Sequence, residues 1–142
     1  MPIRPFEPAD TDAVIALWQA AGLTRPWNDP RRDIARKCAE QADGFFVACD
    51  DGHVVGSVMA GYDGHRGWIY SVAVHPAHRK QGIGSRLVVH AERVLTTKGC
   101  VKINLQILEG NEGVAVFYES LGYSVERRVS MGRRIQENIP NP

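Results

Sequence analysis

Trp68-Ile69-Tyr70-Ser71-Val72-Ala73-Val74-His75 reads as a strand that stops at Pro76, and two cations, a Gly-x-Gly and an amphipathic stripe follow within a few residues. Proline cannot donate to a central ladder, so the strand has to end there. Ile83, Leu87, Val88, Ala91, Val94 and Leu95 recur at helical spacing up to Gly99, which predicts a helix opening near Gly82. A strand that turns directly into a helix fixes a β-α unit. It also places the unpaired N–H groups of the first helical turn, with about half a positive charge, at the end of that strand. An anion is the natural occupant. Gly82 and Gly84 leave the backbone approachable and Arg79 and Lys80 add full charge, a set that suits a pyrophosphate better than a carboxylate.

The rest of the chain supplies elements to pack around this unit. Ile3 to Phe6 is a short first strand, and Asp10 or Thr11 caps a helix bearing Val14, Leu17, Trp18 and Ala21 up to Gly22. Asp29-Pro30 opens a second helix running to about Gln41. Phe45 to Cys49 and Val54 to Ala60 flank Asp50-Asp51-Gly52 as a hairpin, and a second turn at Tyr62 to Gly67 leads into the Trp68 strand. Val101, Ile103, Leu105 and Ile107 alternate with polar residues as a half-buried strand does. Asn111 caps a helix with Val114, Phe117, Tyr118 and Leu121, and Tyr123 to about Met131 is the expected last strand. The order βααβββαβαβ describes an α/β (α+β) protein with four helices covering the sheet. The 142 residues, without repeats or long linkers, fit one domain over 1–142.

Charge narrows the partners. With 17 basic and 16 acidic residues the net charge is +1, which argues against nucleic acid and anionic membranes as partners. No apolar window approaches a membrane span and no signal-like start is present, so a cytoplasmic location is expected. Cys38, Cys49 and Cys100 are too far apart for a metal knuckle, and the histidines show no ligand spacing, so no metal is assigned. The glycine segment also lacks the P-loop pattern, and leucine at 87 breaks the Gly-x-Gly-x-x-Gly of dinucleotide folds, which disfavours ATP and NAD.

Val72 to Leu87 as a whole resembles the acyl-CoA signature of the Gcn5-related N-acetyltransferase (GNAT) family, in which Arg/Gln-x-x-Gly-x-Gly/Ala follows a strand and a proline turn. Asn111 to Tyr123 is similar to the family's Asn-x-x-Ala-x-x-Leu-Tyr-x-x-x-Gly-Phe/Tyr block, with Val114 at the alanine place. The resemblance covers nearly the whole chain. It implies the family's mixed, mostly antiparallel sheet of six or seven strands, flanked by four helices, with splayed central strands. Acetyl-CoA is the implied co-substrate. Its pyrophosphate would lie on Arg79, Lys80, Gln81, Gly82, Ile83, Gly84 and Ser85. Its pantetheine arm would pair with the backbone of Val72, Ala73 and Val74 and touch Asn111, Phe117 and Tyr118. A bulge near Val72 to Val74 would aim one N–H at the thioester oxygen, with Val74 as the expected donor. Tyr118 would protonate the departing thiolate.

Relatives that carry a glutamate early on this strand use it as a base, but Gly67-Trp68-Ile69-Tyr70-Ser71 has no carboxylate. Asp29, Asp63 and His65 are candidates, as are Tyr62 or Tyr70 acting through water. Trp27, Asn28 and Asp29, between the first two helices, are the expected lining of an acceptor pocket, where an aromatic wall and a carboxylate suit a small cation. The resulting expectation is transfer of an acetyl group from acetyl-CoA to a primary amine, of a small molecule or a protein, by direct attack in a ternary complex. A non-catalytic acyl-CoA sensor or interaction module on the same fold is the alternative. Edge-strand pairing makes a homodimer plausible.

Overall fold

The computed structural model describes residues 1–136; the part of the expected domain beyond them lies outside the described residues. Five strands form one sheet in sequence order: β1 Ile3–Pro5, β2 Phe45–Asp50, β3 His53–Tyr62, β4 Gly67–Val74 and β5 Ile103–Asn104. The first four are antiparallel, and β5 runs parallel to β4. Among the described residues four α-helices cover the sheet: α1 Thr11–Ala20, α2 Pro30–Gln41, α3 Ile83–Thr97 and α4 Gly113–Glu119.

Local chemistry explains most boundaries. Asp51 and Gly52, at φ 50 and 78, make the left-handed turn that a tight hairpin needs between β2 and β3. Asp29 caps α2 by accepting from the N–H groups of Arg31 at 3.0 Å and Arg32 at 3.4 Å. Asp10 precedes α1 but does not cap it with its side chain. Its carboxylate instead takes both arms of Arg4, at 2.8 and 2.9 Å, and a forked ion pair is the stronger bond.

Successive strand residues face opposite sides, which makes two cores. Phe45, Val47, Cys49, Met59 and Ala73 pack under α1 and α2 with Val14, Leu17, Trp18 and Ile34. Phe46, Ala48, Val58, Ala60 and Ile69 pack under α3 and α4 with Leu87, Val88, Leu95 and Tyr118. The uninterrupted apolar run of β2 is therefore buried on both faces.

The C-terminal third departs from expectation. Among the described residues the sheet has five strands, fewer than the six or seven implied, and Tyr123 to Met131 forms none. That segment is tied to β5 by side chains: Glu126 accepts from Lys102 Nζ at 2.5 Å and Asn104 Nδ2 at 2.8 Å, and Ser130 Oγ accepts from Gln106 Nε2 at 2.6 Å. Val125, Val129 and Met131 are almost fully exposed, so no apolar burial draws its backbone into the ladder. The expected strand from Val101 to Ile107 shrinks to two residues because β4 turns away beyond them.

Candidate active site

The sheet opens between its last two strands. β4 meets β5 only at Gly67↔Ile103 and Trp68↔Asn104, so from Ile69 to Val74 the β5-facing edge of β4 has no ladder partner among the described residues. Against β3, Ser57 faces Ala73 and Met59 faces Tyr70, which leaves Val58 alone opposite Ser71 and Val72. Two residues against one is a bulge. Ser71 sits at φ 52, a region where non-glycine residues are rare. The irregularity thus lies at the start of the Val72 to Val74 stretch, and the peptide that leaves the ladder is the one joining Ser71 to Val72. His75 donates its N–H to Val55 O at 2.8 Å, so by alternation Ala73 faces β3 while the N–H of Val74 faces the opening.

Below the opening lies the glycine loop. Lys80 and Gly82 adopt φ 65 and 77, and α3 begins without a side-chain cap. None of the backbone N–H groups from Arg79 to Ser85 has an acceptor among the described residues; Arg86 is the first to find one, at Gly82 O, 3.1 Å away. Arg79, Lys80 and Gln81 are exposed, and no described residue forms an ion pair with Arg79 or Lys80. Unspent amides beside unspent cations are the donor set a pyrophosphate requires. Ile83 buries its side chain in the core and offers only its N–H. Gly84 serves contact: a Cβ there would stand 3.2 Å from Phe117 Cζ and 3.6 Å from Val74 Cγ2, so its absence lets α4 close over the mouth of α3.

Tyr118 is buried, its ring edge-on to Phe117 and Tyr123. Burial pushes its hydroxyl up to about 12, so it stays protonated throughout the neutral range, as a proton donor must. It lines a groove of about 1140 Å³ between β5, α4 and residues 122–130, a groove that contains none of the loop residues 79–85. Asn111 is exposed and is not the cap of α4, which is Glu112; its carbonyl accepts from Val114 N at 3.0 Å.

The acceptor-side candidates divide. Trp27 is half-buried and belongs to neither core, with Asn28 exposed beside it. Asp29 is committed to capping α2. Asp63 accepts from the N–H groups of Arg66 at 2.6 Å and His65 at 2.8 Å, and these bonds hold its carboxyl below the ordinary range. That turn precedes the far end of β4, and the start of the strand at Gly67 is already about 13 Å from Ser71 at roughly 3.3 Å per residue. Tyr62 is tied to Gln41 through its backbone and to Gly64 O through its hydroxyl. Tyr70 stands next to the bulge, half-exposed, with burial raising its phenol.

Three residues come forward that the pattern hid. Lys37 is buried under Tyr70, with Nζ 5.2 Å from the ring centroid and bonded to the Ala60 carbonyl, which lies beyond the start of β2. Burial lowers its ammonium to about 8. Its place between Ile34 and Gln41 on the inner stripe of α2 was the available signal. Trp18 and Ser57 read as core filler and a strand residue, yet they share a buried hydrogen bond directly behind the bulge.

Residues 13–123 match the model of the acetyltransferase (GNAT) family. An acetyltransferase of Pectobacterium atrosepticum is 46% identical over 138 residues, covering 97% of this chain and 98% of the relative. Ard1 from Thermoplasma volcanium superposes with a TM-score of 0.79 at 25% identity, over 88% of this chain and 83% of that one. AAC(6')-Iy in complex with the bisubstrate analogue CoA-S-monomethyl-acetylneamine superposes with a TM-score of 0.74 at 22% identity, over 94% and 97%.

Proposed function

The chain belongs to the acetyltransferase (GNAT) family, and from that premise we propose that it moves the acetyl group of acetyl-CoA directly onto a primary amine within a ternary complex. The observation that carries this reading is the run of amides from Arg79 to Ser85 without acceptors, lying just below a β4 edge that β5 leaves open. A diphosphate on the loop would send a pantetheine arm up that edge, where Val74 offers an N–H as an added strand would require. At the bulge, an N–H aimed at the thioester oxygen stabilises charge as it develops there. The amine attacks the carbonyl carbon, the carbon–sulfur bond breaks, and the thiolate takes the Tyr118 proton. No cysteine stands in a nucleophile arrangement, so positioning and polarisation carry the rate.

Trp27 and Asn28, with Tyr70 on the same side of the sheet as α1 and α2, form the acceptor side of this reading. The acceptor's ammonium is expected to lose its proton to water led past Tyr70, because Asp29 and Asp63 are already committed and His65 is remote. The experiment is release of free CoA across a panel of small amines and peptide amino termini, with Tyr118→Phe as control. Tyr118-dependent release supports transfer. Binding of acetyl-CoA with no release from any amine would favour the sensor reading, to which the absence of any carboxylate on β4 lends weight.

A further inference from the structure

Ser57 sits in the middle of β3 with 0% exposure. Its Oγ accepts a hydrogen bond from Trp18 Nε1 at 2.9 Å and donates one to the Ser71 carbonyl at 2.9 Å. A hydroxyl has one proton to give; the indole N–H can only donate, so that proton is directed to Ser71. The Ser71 carbonyl belongs to the peptide that joins the two bulge residues. Ser57 points to the α1 side of the sheet, where Trp18 lies, and therefore draws that carbonyl to the same side. In a planar trans peptide the N–H points opposite to the C=O. The Val72 N–H is thereby turned away from β3, into the same opening that the Val74 N–H faces.

The Ser71 backbone would not hold this shape unaided. A non-glycine residue at φ 52 persists only where its surroundings over-determine it. Here the surroundings are a sealed hydroxyl with a partner on each side.

We propose that Trp18 and Ser57 are positioning residues that hold the Ser71–Val72 peptide so that the Val72 N–H meets the thioester oxygen of bound acetyl-CoA. This rests on the acetyl-transfer reading and names the device behind its polarising donor. Neither residue touches substrate; both act through one peptide plane. The relay also assigns the donor to Val72, two residues before the expected Val74.

Isotope-edited infrared spectroscopy of the thioester carbonyl, bound to the full chain, tests the proposal without knowledge of the acceptor. In the wild type the carbonyl stretch falls below that of free acetyl-CoA. In Ser57→Ala it moves back toward the free position, while affinity for CoA, which has no carbonyl at that point, stays within about twofold. Turnover falls by about ten- to a hundredfold, less than the roughly hundred- to thousandfold that follows outright loss of such a donor. Trp18→Phe keeps a ring but loses the N–H, and gives a band between the two. If Ser57→Ala binds acetyl-CoA with the band of the wild type, the inference falls and the acetyl-transfer reading stands. If the wild type binds no acetyl-CoA, that reading falls and takes the inference with it. Should Ser57→Ala fail to fold, Trp18→Phe bears the test alone, and a band identical to that of the wild type overturns the proposal.

Discussion

Replacing Gly82 by alanine isolates the backbone's share in anion binding. Gly82 holds φ 77, and a Cβ built there has nothing within 4 Å, so the substitution adds no clash. What it adds is conformational strain, about 1–2 kcal/mol for an L-residue kept in the left-handed region. That strain has two outlets. If the loop keeps its shape, stability falls, by about 3 °C in Tm for each kcal/mol. If the residue relaxes to negative φ, stability is kept but the Arg79 to Ser85 amides no longer converge. The affinity for CoA then falls by at most the strain released, about 5- to 30-fold. Calorimetry on one sample reads both quantities, as the heat of CoA binding and the unfolding endotherm. Gly82→Asn, whose side chain tolerates the left-handed region, should recover most of either loss. A Gly82→Ala protein unchanged in both Tm and CoA affinity would refute the argument that this conformation builds the site.

Tyr118→Phe should lower turnover by about a hundredfold, within the range of a positioned acid, while CoA affinity and Tm stay near those of the wild type; steady-state rates beside calorimetry check it. Arg79→Ala should weaken CoA binding several-fold at low salt, with the gap closing near about 1 M salt where exposed charges are screened; titration at two salt concentrations measures this. Lys37 makes stability depend on pH. Its folded pKa of about 8 lies below the unfolded 10.5, so the unfolded chain binds more protons between these values and stability rises with pH across that window. The penalty is complete below pH 8 and gone above 10.5. The Tm difference between Lys37→Met and wild type should therefore be most favourable to the variant below pH 8 and decline toward pH 10.5, and a flat difference would contradict the burial argument.

Local chemistry carried the reading of the sequence well where each boundary had its own cause. Asp29-Pro30 starts α2, Asp51-Gly52 turns the first hairpin, and the Ile83 to Leu95 stripe lays α3 on the sheet. Reading failed where a residue had to choose between partners remote in sequence. Asp10 prefers Arg4 to the N–H groups of α1. Leu105 and Ile107 keep the alternation of a strand but lose their neighbour when β4 bends away. The same limit applies to the site. The glycine loop announces itself within ten residues, whereas the Trp18 to Ser57 bond joins positions 39 residues apart, and neither residue carries a local sign of it.

The two-residue contact between β4 and β5 has a consequence for folding. A seam runs between the last two strands of the sheet, and cohesion along most of it depends on the helices rather than on main-chain pairing. A slender molecule lodged in the seam would cross-link strands that the polypeptide leaves unjoined, so occupancy and cooperativity of melting become one property. At a ligand concentration one hundred times Kd the gain amounts to about 2.7 kcal/mol, and it should appear first as slower amide exchange along the two lips of the seam.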